Sequence, residues 1–165
     1  EMLDYVTLLR ASGPVSSADI QGLKSWFEKL SEWMVSSRFG RLEVHSMNNH
    51  GSYYVAQVLA FSSFAGDEAR VQRAIPFARR HIRKQVEADG SMPLELDRAD
   101  GLFYAVYGLR ALVILARLAE RGGVDLWHLS RNGTNILQQA LMSLAPYLLS
   151  ERPWQGTKLD TPYAR

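Results

Sequence analysis

The sequence predicts an all-α chain of antiparallel helix hairpins, arranged as an array or toroid of helix pairs. Three observations carry that expectation. Apolar residues recur at helical spacing in six stretches, glycine- or proline-bearing turns separate those stretches, and no segment alternates apolar and polar residues with the period of a strand. No linker interrupts the pattern, so residues 1–165 read as a single domain, a length at which one hydrophobic core is the common case.

The elements follow in order. Leu3, Val6, Leu8 and Leu9 predict a helix already under way over 1–11, stopped by Ser12, Gly13 and Pro14. A start inside an apolar periodicity is the expectation of further sequence upstream. Ser16 and Asp19 form a capping-box pattern ahead of Ile20, Leu23, Trp26, Phe27, Leu30, Trp33 and Met34, which predicts a helix ending near Phe39 and Gly40 with Trp26 and Trp33 in its core. A polar turn over 41–51 leads to a helix from Tyr53 to Ala65, closed by Gly66. Asp67 and Glu68 suit the positive end of the next helix, expected to reach about Ala88, with Pro76 bending or breaking it and Gly90 stopping it. A second polar connection, 91–101, precedes a helix from Leu102 to Glu120, apolar nearly all round and therefore expected to be walled in by neighbours. A last helix spans about Asn135 to Leu149, and an irregular tail begins at Glu151.

Composition narrows the class. Hydrophobic residues at 47% and charged residues at 22% are those of an ordinary globular protein and exclude a disordered chain. Net charge is +2 and the pI about 9.0. Arg70, Arg73, Arg79, Arg80 and Arg83 gather on one predicted helix, which suits either an anionic partner or a solvated face; nucleic acid is a weak option at this net charge. With no cysteine there is neither a disulfide framework nor a thiolate metal site, and the redox compartment stays open. The segment 102–118 carries Arg110 and Arg117 and lacks an unbroken run of about 20 apolar residues, so no membrane span is expected. No signal-peptide pattern is visible at the start.

The chemistry concentrates in Asn48, Asn49, His50, Gly51, Ser52, Tyr53 and Tyr54, where two amides, an imidazole and two phenols meet a turn-to-helix junction. If consecutive helices are antiparallel, this turn and the one before Leu102 lie at the same end of the layer, because two helices separate them. Asn49, His50, Arg98 and Tyr104 then face one cleft.

These residues resemble a known family. The run NNHGSYY, the segment IRKQVEADGSMPLELDR, Tyr104 shortly after it, and a late LMSLAPYLLSERPW are together similar to the alginate lyase family of polysaccharide lyases, over roughly residues 40–155. The family motif is an NNHG or NNHS turn entering a helix, then a DGSQPLEL-like segment with an arginine, then a tyrosine about six residues on. Here the second part is matched by Asp89, Gly90, Ser91, Pro93, Leu94, Glu95, Leu96, Arg98 and Tyr104.

The resemblance implies an α/α toroid and β-elimination on a uronic-acid polysaccharide, periplasmic or secreted, with an anionic polymer as partner and no cofactor. It implies that Asn49 and Arg98 neutralise the substrate carboxylate. The proton beside that carboxylate is weakly acidic, so the developing enolate-like charge needs fixed donors, and an arginine fork suits a planar carboxylate. It implies His50 and Tyr104 as base and acid, in an assignment set by the stereochemistry at C5. Family toroids are longer than this chain, so the expectation is a C-terminal portion of the domain, or one of two chains that complete it.

Alternatives stand beside this reading. Asn48 either contacts substrate or caps the helix, and Tyr53 and Tyr54 either stack on sugars or enter the core. Glu95 either contacts substrate or, with Asp97, orients Arg98; as a pair the two also fit the carboxylates of a toroid glycoside hydrolase. His45, His81 and His128 have no partners at metal-ligand spacing, so no metal is expected. A non-catalytic polysaccharide-binding fragment is the remaining option.

Overall fold

The computed structural model describes residues 2–11, 13 and 15–156. Helix α1 spans Met2–Ala11, and of the predicted stop after it Ser12 and Pro14 lie outside the described residues. The capping box forms as expected: Asp19 N donates to Ser16 Oγ at 3.1 Å, Ser16 N donates to Asp19 Oδ2 at 3.0 Å, and α2 runs Ser17–Ser36. It ends before Phe39 because Ser37 turns extended, at φ −68° and ψ 152°, and its Oγ accepts from Gly40 N to start a short α3, Arg38–Glu43. The stripe that α2 buries is Ile20, Phe27 and Met34, spaced by seven. Trp26 and Trp33, expected in the core, are 54% and 56% exposed. Each precedes a stripe residue by one position, which is about 100° around the helix and out of the interface.

Helix α4 spans Asn49–Ala65 and starts before Tyr53, because Asn48 rather than a later residue supplies the cap. Gly66, at φ 87°, and Asp67 make the reversal into α5, Glu68–Gln85, whose first turn is closed by Arg70 N donating to Asp67 Oδ1 at 2.8 Å. Pro76 is accommodated on the exposed side of α5 without breaking it. Helix α5 stops three residues early because Val86 goes extended.

The second polar connection contains a single turn, α6, Pro93–Leu96, with proline at its start. Asp100 then caps α7, Gly101–Arg121. A two-residue ladder, β1 Ser130–Arg131 with β2 Thr134–Asn135, turns through Asn132 and Gly133 at φ 51° and 80° and leads into α8, Ile136–Leu148. That hairpin is too short for any period-two signal.

Helix α4 packs against α2, α5 and α7, and α7 also against α5, α6 and α8. Their shared core includes Leu59, Ile82, Met92, Leu112, Leu115, Leu126 and Ile136, all fully buried. The expectation that α7 is walled in all round fails at Phe103, Val113, Arg110 and Arg117, which are exposed, while Ala105, Leu112, Leu115, Ala116 and Ala119 face the core. By length and composition alone α7 is apolar enough to cross a membrane, at a mean hydropathy of 1.7; its apolar stripe packs inside this fold. Asn49, at the start of α4, meets Glu95 just ahead of α7, and Tyr53 meets Tyr107, so the first turns of α4 and α7 lie side by side. Their N-termini lie at the same end.

Candidate active site

The two N-termini bring the polar connections together through one buried carboxylate. Glu95, in α6, is 1% exposed; Oε2 accepts from Asn49 Nδ2 at 2.7 Å and Oε1 accepts from Asn49 N, the first helical N–H of α4. Asn49, 5% exposed, is thereby fixed in backbone and side chain at once. Each oxygen takes an N–H, so the carboxylate acts purely as acceptor. Glu95 does not orient Arg98 through its side chain, as the sequence reading allowed; the link is the Glu95 carbonyl, which accepts from Arg98 N at 3.2 Å within the same turn.

Arg98 lies over the ring of Tyr104, with the guanidinium carbon 4.1 Å from the ring centroid, and both are half-buried. Tyr104 sits on the first turn of α7 with Phe103 edge-on at 5.4 Å, and Phe103 in turn stacks on Tyr107 at 5.9 Å and 8°. Tyr53, on α4, completes this row. Its ring is 4.6 Å from that of Tyr107, and its hydroxyl donates to the Tyr107 carbonyl at 3.3 Å.

His50 is exposed, with Nδ1 3.3 Å from Glu43 Oε1. Glu43 is an acceptor there, so the Nδ1 side of the ring faces an acid. Asn48 is the N-cap of α4: its Oδ1 accepts from His50 N at 3.1 Å. Tyr54 points the other way from Tyr53. Its hydroxyl donates to the Met34 carbonyl at 2.8 Å, beside a cavity of about 340 Å³ between α2, α3, α4 and α5, and burial with the nearby Glu43 charge raises its pKa above the usual tyrosine value.

The predicted residues therefore fall into a connected set, Asn49 with Glu95 and Arg98 with Tyr104 through α6, with His50 next to Asn49 in sequence. Asn48 and Tyr54 make backbone bonds that shape the turn and its packing. Sequence reasoning passed over Glu43, Tyr107 and Gln85. Glu43 had a usable signal, being the sole acid in the turn that carries His50; Tyr107 follows Phe103 and Tyr104 at helical spacing; Gln85 had none.

The model of the alginate lyase family matches residues 1–154. The chain belongs to the alginate lyase family. A crystal structure of an alginate lyase from Bacteroides ovatus is similar at a TM-score of 0.84 and 31% identity, over 94% of this chain and 42% of that one. No curated protein matches. The helix pairs of this alginate lyase family member are accordingly part of an α/α toroid, and the chain spans under half the length of the solved relative. Within the toroid, α4 and α7 carry the Asn49 and Tyr104 ends side by side.

Proposed function

We propose that this chain carries a catalytic portion of a polysaccharide lyase, cleaving a uronic-acid polymer of the alginate type by β-elimination outside the cytoplasm. The observation that supports it most is the fixing of Asn49 by buried Glu95, one turn away from the Arg98–Tyr104 pair.

An amide nitrogen has two hydrogens. Glu95 takes one from Asn49, so the other is aimed without freedom to rotate, and the guanidinium of Arg98 makes no ion pair among the described residues. Together they offer donors to a uronate carboxylate and to the enolate-like charge that grows on it when the C5 proton leaves. Either His50 Nε2 takes that proton and the Tyr104 hydroxyl gives its own to the departing glycosidic oxygen, or Tyr104 serves as both, its phenolate taking the C5 proton and passing it to that oxygen. The bond between C4 and that oxygen breaks as the C4–C5 double bond forms.

The test is incubation with a panel of polyuronates, with the ultraviolet absorbance of the unsaturated product as readout. Turnover lost in His50→Ala and Tyr104→Phe is expected. A saturated product, with Glu95→Gln inactive and the other two unaffected, would instead establish a hydrolase. Because the chain covers 42% of its solved relative, polyuronate binding without absorbance change would mark it as a binding portion of the site.

A further inference from the structure

Helix α5 reaches beneath the turn that presents Asn49 and His50 with two side chains one helical turn apart, His81 and Gln85. His81 is completely buried. Its Nε2 lies 3.1 Å from the Val44 carbonyl oxygen and its Nδ1 2.7 Å from Gln85 Nε2 and 3.4 Å from Ser52 Oγ. Gln85 Nε2 also reaches the Asn48 carbonyl at 3.2 Å and Ser52 Oγ at 2.6 Å. Val44 closes α3 and Asn48 opens α4, so the pair holds both ends of the connection 44–48.

The two backbone carbonyls favour one arrangement. Both carbonyl oxygens only accept, so His81 Nε2 carries the hydrogen and Gln85 turns its NH₂ toward Asn48; His81 Nδ1 must then be the bare acceptor. A second proton on the ring would set N–H against NH₂. The acceptors at hand are Ser52 Oγ, at a long 3.4 Å, and Gln85 Oε1, which is buried with no hydrogen-bond partner. Using Gln85 Oε1 turns the amide over and withdraws the donor from Asn48.

We propose that His81 is a positioning residue for Asn49 and His50: as the neutral Nε2–H tautomer it holds, with Gln85, the turn that presents them, and its protonation releases that turn. This rests on the reading of Asn49 and His50 as catalytic. The surroundings favour the neutral ring. Burial is the largest influence holding its pKa below the usual histidine value; the Val44 carbonyl bond opposes it, and the Arg80 guanidinium on α5 and the neighbouring His45 ring in the turn add to it, while Glu43, the acid on α3, is engaged with His50.

The test combines nitrogen NMR of the histidine rings with kinetics on a polyuronate, using Gln85→Glu and Gln85→Leu. In the wild type the His81 ring is expected as Nε2–H at neutral pH, and the backbone amides of Asn49 and His50 are expected to shift together with its titration. Gln85→Glu offers Nδ1–H an acceptor and removes the donor to Asn48, so it should raise the His81 titration by about one pH unit, carry the acid limb of activity with it, and lower kcat about tenfold with KM nearly unchanged. In Gln85→Leu the ring should still titrate while the two amides no longer follow. An Nδ1–H or cationic ring at neutral pH, amides blind to the titration, or an unaltered kcat in Gln85→Glu each overturns the proposal. Wild-type protein with no turnover overturns the lyase reading instead, and the amide titration then still decides whether His81 controls the turn.

Discussion

Asn49 donates its backbone and side-chain N–H to the two oxygens of Glu95, 46 residues further along the chain. A single carboxylate thus joins the α4 turn to the α6 turn. Glu95→Gln keeps the volume but sets an NH₂ against one of those donors. Leaving a buried donor unsatisfied should cost about 2 kcal/mol of stability, read as a lowered urea midpoint. It should also lower kcat about a hundredfold through loss of the fixed amide, read from product absorbance. Unchanged stability would mean that the bond contributes nothing to the fold.

Tyr104→Phe separates chemistry from packing. The ring that Arg98 covers remains, so the melting temperature should change by no more than about 0.5 kcal/mol equivalent while kcat falls at least about a hundredfold for want of a proton donor. Arg98→Lys should retain charge yet lose the planar fork, raising KM for polyuronate and lowering kcat.

Gly51 and Gly22 predict opposite outcomes for the same substitution. A methyl at Gly51 would overlap the Ser46 carbonyl oxygen and stand 2.6 Å from His81 Cε1, whereas at Gly22 nothing lies within 4 Å. Gly51→Ala should cost about 2 kcal/mol or more, and Gly22→Ala, within α2, should add up to about 1 kcal/mol, both read in denaturant melts.

Stability should fall with acid through His81. Its native pKa lies below the ordinary 6.5, so the unfolded chain takes up the proton first. The contribution is complete above about pH 6.5 and is lost as pH falls toward the native value. The urea midpoint should decline as pH falls below about 6.5, and His81→Gln should flatten that decline.

What the sequence made legible was periodic or local. Helix positions followed from apolar spacing, and the caps at Ser16, Gly66 and Asp67 from residue type. Trp26 and Trp33 were misread because periodicity fixes a face to within about one residue, and Phe27 and Met34 took the buried position. Antiparallel connection puts alternate turns at one end, which is why the turn of Asn49 could be expected near the segment of Arg98, the approach that Glu95 makes. The Glu95–Asn49 bond and the His81–Gln85 support could not be read off. They depend on which side chains meet across 46 and 37 residues, and neither propensity nor spacing encodes that.

No lysine or arginine side chain neutralises Glu95 among the described residues; one oxygen meets the first N–H of α4 and the other the Asn49 side-chain amide. The counter-charge of this buried acid is the positive end of a helix macrodipole, worth roughly half an elementary charge. That end of α4 is therefore already compensated, and on the proposed reading the attraction for a uronate falls to the Arg98 guanidinium. On that reading Arg98→Gln should flatten the dependence of polyuronate binding on ionic strength.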